Sequence, residues 1–246
     1  MKIEDSVVSH FTSSVGKYTE KRPEPEDFAM QAFEPFIERK LRVLELGCGT
    51  GHRLEGLSTY YPKLKLYGMD ITPAMVKKAS AIRPVRIAFM VGNCLDSPFK
   101  SGDFDAVIMY YVLHHLIKDN IKESDILREK GFRELLRLLA PKGFIILGEV
   151  CVNTAWRSAL IFFVSHLLSK FHISLPMLDI GPDVVTNFFT LEELQANFDR
   201  LGLSVVSCQI EHYKNLSTWL STFGSFTYHV IYTLRRKEET TTLSED

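Results

Sequence analysis

The chain has 246 residues, 46% of them hydrophobic, and balances 29 Lys and Arg against 30 Asp and Glu for a formal charge of -1. That length suits one large domain or two small ones with a sizeable core, and the charge leaves no basic surplus for a nucleic acid backbone. Its four cysteines, Cys48, Cys94, Cys151 and Cys208, lie far apart without a CxxC pair, so neither a metal site nor a disulfide framework is expected.

The opening Met-Lys-Ile-Glu-Asp lacks the apolar run of a signal peptide, and no stretch reaches the ~20 apolar residues that span a bilayer. A cytoplasmic protein is expected. The first predicted element is a helix over Glu4–Tyr18, with Val7, Val8, Phe11 and Val15 on one side. Lys21–Pro25 is a charged break, and a second helix is predicted over Glu26–Lys40, anchored by Phe28, Phe33 and Phe36 and bent at Pro35.

The first strand, Arg42–Leu46, runs into Gly47-Cys48-Gly49-Thr50-Gly51 and then a helix to Tyr61. Glycines at alternate positions let the chain turn sharply and let another group approach the backbone. A second strand, Leu64–Met69, ends in Asp70, and Thr72-Pro73 starts the next helix as N-cap and first helical residue. Arg86–Val91 and Phe104–Tyr110 are the third and fourth strands. A long amphipathic helix is predicted to follow to Leu139, closed by Pro141-Lys142-Gly143, before an apolar fifth strand, Phe144–Val150.

Residues 151–190 interrupt the alternation. Ala155–Phe171 is helical in pattern but apolar on most sides, with only Ser158, Ser165 and Ser169 as a polar stripe. Thr190 and Glu193 make a capping box for a helix to Leu201. Leu203–Glu211 and Tyr228–Leu234 are the last strands, and 236–246 a flexible tail. Alternating strands and helices predict a single α/β domain over 1–246, doubly wound and Rossmann-like, with 1–40 as a helical cap and 151–190 as an apolar lid.

Strand, glycine loop and helix leave free N–H groups at a helix N-terminus, a favoured place for nucleotide-like ligands. Asp70, ending the adjacent strand, can accept from both ribose hydroxyls; a helix-capping aspartate is the plain alternative. Ile71 could cover an adenine face, and Gly92-Asn93-Cys94 could read the adenine edge. The third glycine comes one residue too early for GxGxxG, and no GxxxxGK[ST] is present, which disfavours dinucleotides and triphosphates. Glu45 suits a cationic ligand tail.

At this point the sequence resembles the class I S-adenosylmethionine-dependent methyltransferases, in the small-molecule branch with the ubiquinone/menaquinone and biotin-pathway enzymes. VLELGCGTG at 43–51, GMDIT at 68–72, GNCLDSPF at 92–99, FDAVIMYYVLHHL at 104–116 and LAPKGFIIL at 139–147 carry it. The resemblance implies a seven-stranded sheet with its last strand antiparallel, and S-adenosyl-L-methionine as cofactor. Glu45, Gly47, Cys48 and Gly49 would serve the methionyl part, Asp70 the ribose, and Ile71, Asn93 and Cys94 the adenine, with Gly51 also binding the cofactor. Tyr110 would face the methionine tail, and Phe11 and Tyr18 resemble a pair that closes over the cofactor. Asn93 stands where the family more often has aspartate.

The methyl group of a sulfonium is already an electrophile, so alignment is the main task, worth roughly 7–11 kcal/mol when positioning is good. His114 and His115 are the candidate bases for a protonated acceptor; packing at a helix start is the plain alternative. Tyr111, Phe11, Phe162 and Phe163 are candidate acceptor contacts. Neither (D/N)PP(Y/F) nor a Pro-Cys nucleophile follows the fourth strand, which leaves a small molecule as acceptor; the Phe, Leu and Trp of 151–190 point to a hydrophobic or aromatic one, methylated at oxygen or carbon. The apolar 155–171 is expected to cover that acceptor or to make a peripheral membrane contact, with a homodimer contact as the alternative. A non-catalytic cofactor-binding subunit and an NAD-dependent oxidoreductase are the competing functions.

Overall fold

A computed structural model describes residues 3–16, 27–82, 86–171, 173, 185–213 and 227–237. The expected break at Lys21–Pro25, Tyr18, most of the tail and 174–184 lie outside the described residues.

Seven strands form one sheet: β1 (Arg42–Leu46), β2 (Lys65–Asp70), β3 (Ile87–Val91), β4 (Phe104–Tyr110), β5 (Leu139–Val152), β6 (Leu203–Tyr213) and β7 (Thr227–Arg236), in the order β3-β2-β1-β4-β5-β7-β6. The first five pair in parallel, and β7 runs antiparallel to both β5 and β6. This is the doubly wound sheet with an antiparallel last strand that the sequence led us to expect.

Period-two alternation builds two cores. Leu44, Leu46, Val107, Met109, Ile145 and Leu147 point to one face, where they meet Phe132 and Leu135 of α5 (Ile121–Leu138) and Phe198 of α7 (Leu191–Arg200). Val43, Ala106, Ile108, Phe144 and Ile146 point to the other, against Leu54 and Leu57 of α3 (His52–Tyr60) and Phe33. Each fully buried side chain of this size contributes roughly 1.5–3 kcal/mol, so the sheet's C-terminal edge rests on a rigid slab.

Four expectations are corrected. The second helix is not one helix over 26–40 but a single turn, α2 (Phe28–Gln31), and a 3-10 turn, Glu34–Phe36, with Pro35 in its first positions. Proline has no N–H to continue the helical ladder, and the aromatic anchors already reach the core: Phe33 and Phe36 pack on Phe144. The helix after β4 does not follow directly. Leu113–His115 makes a 3-10 turn, and α5 starts later, where Asn120 Oδ1 accepts the Glu123 N–H at 2.9 Å.

Pro141-Lys142-Gly143 does not lie ahead of the fifth strand. It lies within β5, where the register jumps from Phe104–Leu139 to Ala106–Phe144. A Cβ on Gly143 would stand 2.7 Å from the Asp105 carbonyl oxygen, so only glycine lets the bulged chain pass. Finally, Arg236 is not tail: it ends β7 and donates to the Leu139 carbonyl at 3.2 Å. Near the N-terminus, α1 (Ile3–Ser14) packs on α4 (Pro73–Ile82), with Lys78 Nζ donating to the Val15 carbonyl at 3.0 Å.

Candidate active site

A cleft of about 1080 Å³ opens along the C-terminal edge of the sheet. Ligand sites commonly measure ~300–1,000 Å³, so it has room for a nucleoside-sized molecule and a second, smaller one. Strand order lays out its walls: Asn93 and Cys94 follow β3, Asp70 ends β2, Glu45 and the glycine loop belong to β1, and Tyr110, Tyr111, His114 and His115 follow along β4. Beyond them, β5, β6 and β7 contribute Val150, Gln209, Glu211, His229 and Ile231.

The glycine loop is folded onto the end of β2. Gly47 and Cys48 N–H groups both donate to the Met69 carbonyl, at 2.8 and 3.1 Å, and Gly49 N–H donates to Asp70 Oδ2 at 2.8 Å. Asp70 Oδ1 accepts the Thr72 N–H at 2.8 Å. Asp70 is thus a turn-builder as well as a cleft residue. Burial raises its carboxyl above the usual range, and the Thr72 and Gly49 N–H groups pull it part of the way back. Gly47, at φ 73°, is required by space, since a Cβ would stand 2.3 Å from Val112 Cγ2, whereas Gly49 has nothing within 4 Å of a Cβ position and is favoured by its left-handed φ of 52° beside the cleft.

Glu45, 1% exposed, does not face the cleft as an isolated carboxylate. Arg53 of α3 donates from Nη1 to Glu45 Oε1 at 2.6 Å, and its guanidinium carbon lies 3.5 Å from the centre of the Tyr110 ring. A buried carboxylate is tolerable when paired in this way. Burial pushes the Tyr110 phenol well above its usual value, against the pull of Arg53.

At the far end, a second ionisable cluster is buried. Glu149, 0% exposed near the C-terminal end of β5, accepts the Leu113 N–H through Oε1 at 2.9 Å and pairs through Oε2 with His114 Nδ1 at 2.7 Å. A carboxylate oxygen accepts in this contact, which puts its proton on His114 Nδ1. The His115 ring centre lies 4.1 Å from that of His114, and Phe11 of α1 meets His115 edge-on at 5.4 Å. Burial first, then His114 and His10, hold His115 well below its ordinary value, so it is a neutral imidazole. Tyr111 is the one described non-glycine residue with a positive φ, 56°. That conformation aims its hydroxyl at His229 Nδ1, 2.9 Å away. Burial lowers His229, Glu211 opposes the shift, and His114 adds to it.

Of the predicted residues, Glu45, Gly47, Cys48, Gly49, Asp70, Ile71, Asn93, Cys94, Tyr110, Tyr111, His114, His115 and Phe11 line this one cleft. Gly51 instead caps α3 at φ 78°, with its Cβ position 2.7 Å from the Phe89 ring. Phe162, 1% exposed, packs on Ile117 and Val185 behind the cleft, and Phe163 is 62% exposed on the outer side of α6 (Ala155–Lys170). Neither is among the described lining residues, and Tyr18 lies outside the described residues. Among the described residues no group of His, Cys, Asp and Glu could hold a metal ion. Arg53, Glu149 and His229 escaped the sequence reading. Glu149 carried a signal, a lone carboxylate in the apolar run FIILGEVCV.

The family described as a methyltransferase domain matches residues 44–147. The malonyl-[acyl-carrier protein] O-methyltransferase of Legionella pneumophila is 23% identical over 233 residues, 88% of this chain and 77% of that protein. The demethylmenaquinone methyltransferase of Porphyromonas gingivalis is 29% identical over 148 residues; the match spans 57% of this chain and about half, 56%, of that relative. A solved SAM-dependent methyltransferase from Methanosarcina mazei superposes with a TM-score of 0.62 at 17% identity, covering 85% of this chain and 98% of that one.

Proposed function

We propose that the chain is a class I S-adenosylmethionine-dependent methyltransferase and that its acceptor is a small, hydrophobic or aromatic molecule methylated at oxygen or carbon. The donor set suits the cofactor: Asp70 offers carboxylate oxygens for ribose hydroxyls, Gly49 leaves open space beside the cleft, and Glu45 with Arg53 offers both signs of charge. Bound S-adenosylmethionine supplies a methyl group on a sulfonium, ready for in-line displacement.

The observation that carries the acceptor reading is the buried His114–Glu149 pair at the end of β4 and β5. In this assignment His114 Nε2 takes the proton that an acceptor hydroxyl or ring carbon must lose. Glu149 fixes the tautomer and balances the charge that His114 then carries. His115 and His229, held neutral, and Tyr111 line the same end and would orient the acceptor through hydrogen bonds. An aromatic-lined end whose acidic lining residue is Glu211 suits an uncharged acceptor ring better than a strongly anionic one.

The outer side of α6 supports a peripheral membrane contact. Trp156, Phe163, Leu167 and Phe171 are each more than half exposed along one stripe, and the helix's only Arg and Lys, Arg157 and Lys170, stand at its two ends with no acidic residue between. Apolar stripe and basic ends together match an anionic lipid surface. Among the described residues no helix is long and apolar enough to cross a membrane.

Purified protein with labelled S-adenosylmethionine should transfer label to a compound in the lipid-soluble fraction of a cell extract. Label confined to water-soluble acceptors would remove the hydrophobic assignment. Binding to phosphatidylglycerol vesicles that weakens in Phe163→Ser and Leu167→Ser would support the membrane contact. A concentration-dependent dimer lost in the same variants, without vesicle binding, would replace it.

A further inference from the structure

Arg53 is the only Lys or Arg among the described residues that line the cleft. It sits on the first turn of α3, immediately beyond the glycine loop, and its side chain is 19% exposed beside a Glu45 side chain at 2%. Tyr110 is a shelf for it, 3.5 Å from ring centre to guanidinium carbon. Asp27 lines the same end, and Tyr110 lies within electrostatic reach of Arg53, Glu45 and Asp27 together. Without Arg53, this end of the cleft would present two carboxylates and no fixed cation.

The methionyl tail of the cofactor ends in an α-amino acid, an ammonium and a carboxylate on one carbon. A site with Glu45 alone would attract the first and repel the second. We infer that Arg53 and Glu45 form a two-sign clamp in which Glu45 takes the ammonium and Arg53 takes the carboxylate, making Arg53 the residue that selects for an intact amino acid tail. A guanidinium presents five N–H donors in a fixed fork, so one arm can hold Glu45 while another holds a carboxylate. Stacking on Tyr110 and pairing with Glu45 fix the fork before the ligand arrives, which removes an ordering penalty from binding. A neutral pair of opposite charges then meets a neutral zwitterion, and neither partner is left with an uncompensated buried charge.

The inference rests on the assignment of the loop as a cofactor cradle, and calorimetry separates the two. S-adenosylhomocysteine and its decarboxylated analogue, in which a hydrogen replaces the carboxylate, are titrated into the full chain. The wild type should prefer the intact ligand by roughly ten- to hundredfold, the range of one charge-assisted hydrogen bond or pair. In Arg53→Gln that preference should collapse toward unity, with the decarboxylated analogue bound nearly as in the wild type. In Arg53→Lys, which keeps a point charge without the fork, an intermediate preference is expected.

If Arg53→Gln weakens both ligands by the same factor, Arg53 only neutralises Glu45 and the clamp is wrong. A wild type that binds the two ligands equally overturns it without any variant, so loss of folding in Arg53→Gln does not shelter the idea. Absence of binding by either ligand would instead remove the cradle, and the clamp with it.

Discussion

The pair formed by Glu149 and His114 can be tested before any acceptor is known. Glu149 is 0% exposed and serves two partners: Oε1 accepts the Leu113 N–H at 2.9 Å, and Oε2 holds His114 Nδ1 at 2.7 Å. Glu149→Leu removes both acceptors at once. The Leu113 N–H, buried, is left without its partner, at about 1–3 kcal/mol, and the imidazole N–H loses its own. Removing one member of a buried pair in this way destabilises by about 3–5 kcal/mol.

Glu149→Gln is the sharper variant. The Leu113 N–H needs an acceptor, so it keeps the amide oxygen on its own side and turns the amide nitrogen toward His114. That nitrogen can only donate, which forces His114 into the tautomer with its proton on Nε2. The stability loss should be small, and the lone pair facing the cleft should disappear. Nitrogen-15 NMR of the imidazoles reads the tautomer directly, and urea denaturation reads the stability. Methyl transfer to a hydroxyl acceptor should fall by roughly 10²–10⁴, the usual contribution of general base catalysis. If Glu149→Gln keeps the proton on Nδ1, or Glu149→Leu loses less than about 1 kcal/mol, the reasoning fails.

Asp70→Ala removes the acceptor of Gly49 N–H and Thr72 N–H together with the proposed ribose contacts; affinity for S-adenosylhomocysteine should fall by about a hundredfold or more, while Asp70→Asn should lose less. Gly47→Ala places a methyl 2.3 Å from Val112 Cγ2 at φ 73° and should destabilise the fold by about 1–3 kcal/mol. Pairing it with Val112→Ala should recover part of that loss in denaturation curves; no recovery would assign the effect to backbone strain alone. Acid should destabilise the protein through His115 and His229, whose folded values lie below the ordinary 6.5. The unfolded chain then binds more protons, so their contribution is full above about 6.5 and is lost as the pH falls from there toward the folded values. Melting temperature followed from pH 8 down to pH 5 should drop more steeply in the wild type than in His115→Phe, since phenylalanine has no proton to bind (about 6.5 being the unperturbed histidine value).

The parts of the fold that were legible are those written in consecutive residues. Val43–Gly51 carries strand, turn and helix start in one run, and β4 and β5 declare themselves through the apolar stretches Ala106–Tyr110 and Phe144–Leu147. Pro141-Lys142-Gly143 misled because a turn and a bulge use the same residues; only the register against Phe104 and Ala106 separates them. Asn120 followed by Glu123 was a readable helix start, but the preceding His114-His115 drew the helix back toward β4. Pro35 was read as a bend when the short helical pieces around it were held by Phe33 and Phe36 on Phe144, contacts across the sequence that no local pattern encodes. Arg53 resembled any surface arginine on a helix because its partners lie on other elements, Glu45 on β1 and Tyr110 on β4.

That difference separates the two ends of the cleft. The residues proposed for the cofactor come from the loop after β1 and the ends of β2 and β3, which occupy neighbouring places in both chain and sheet, so their spacing in the sequence is also their order in space. The proposed acceptor end is assembled from Tyr111, Glu149 and His229, and the Tyr111–His229 bond joins residues 118 positions apart. β7 reaches that end only by inserting antiparallel between β5 and β6, a pairing that places Glu149 opposite Val230 and leaves His229 beside Val150. A one-residue slip of β7 would turn His229 away from Tyr111. The end proposed for the acceptor therefore depends on a register fixed late in the chain, whereas the end proposed for the cofactor depends on a local turn.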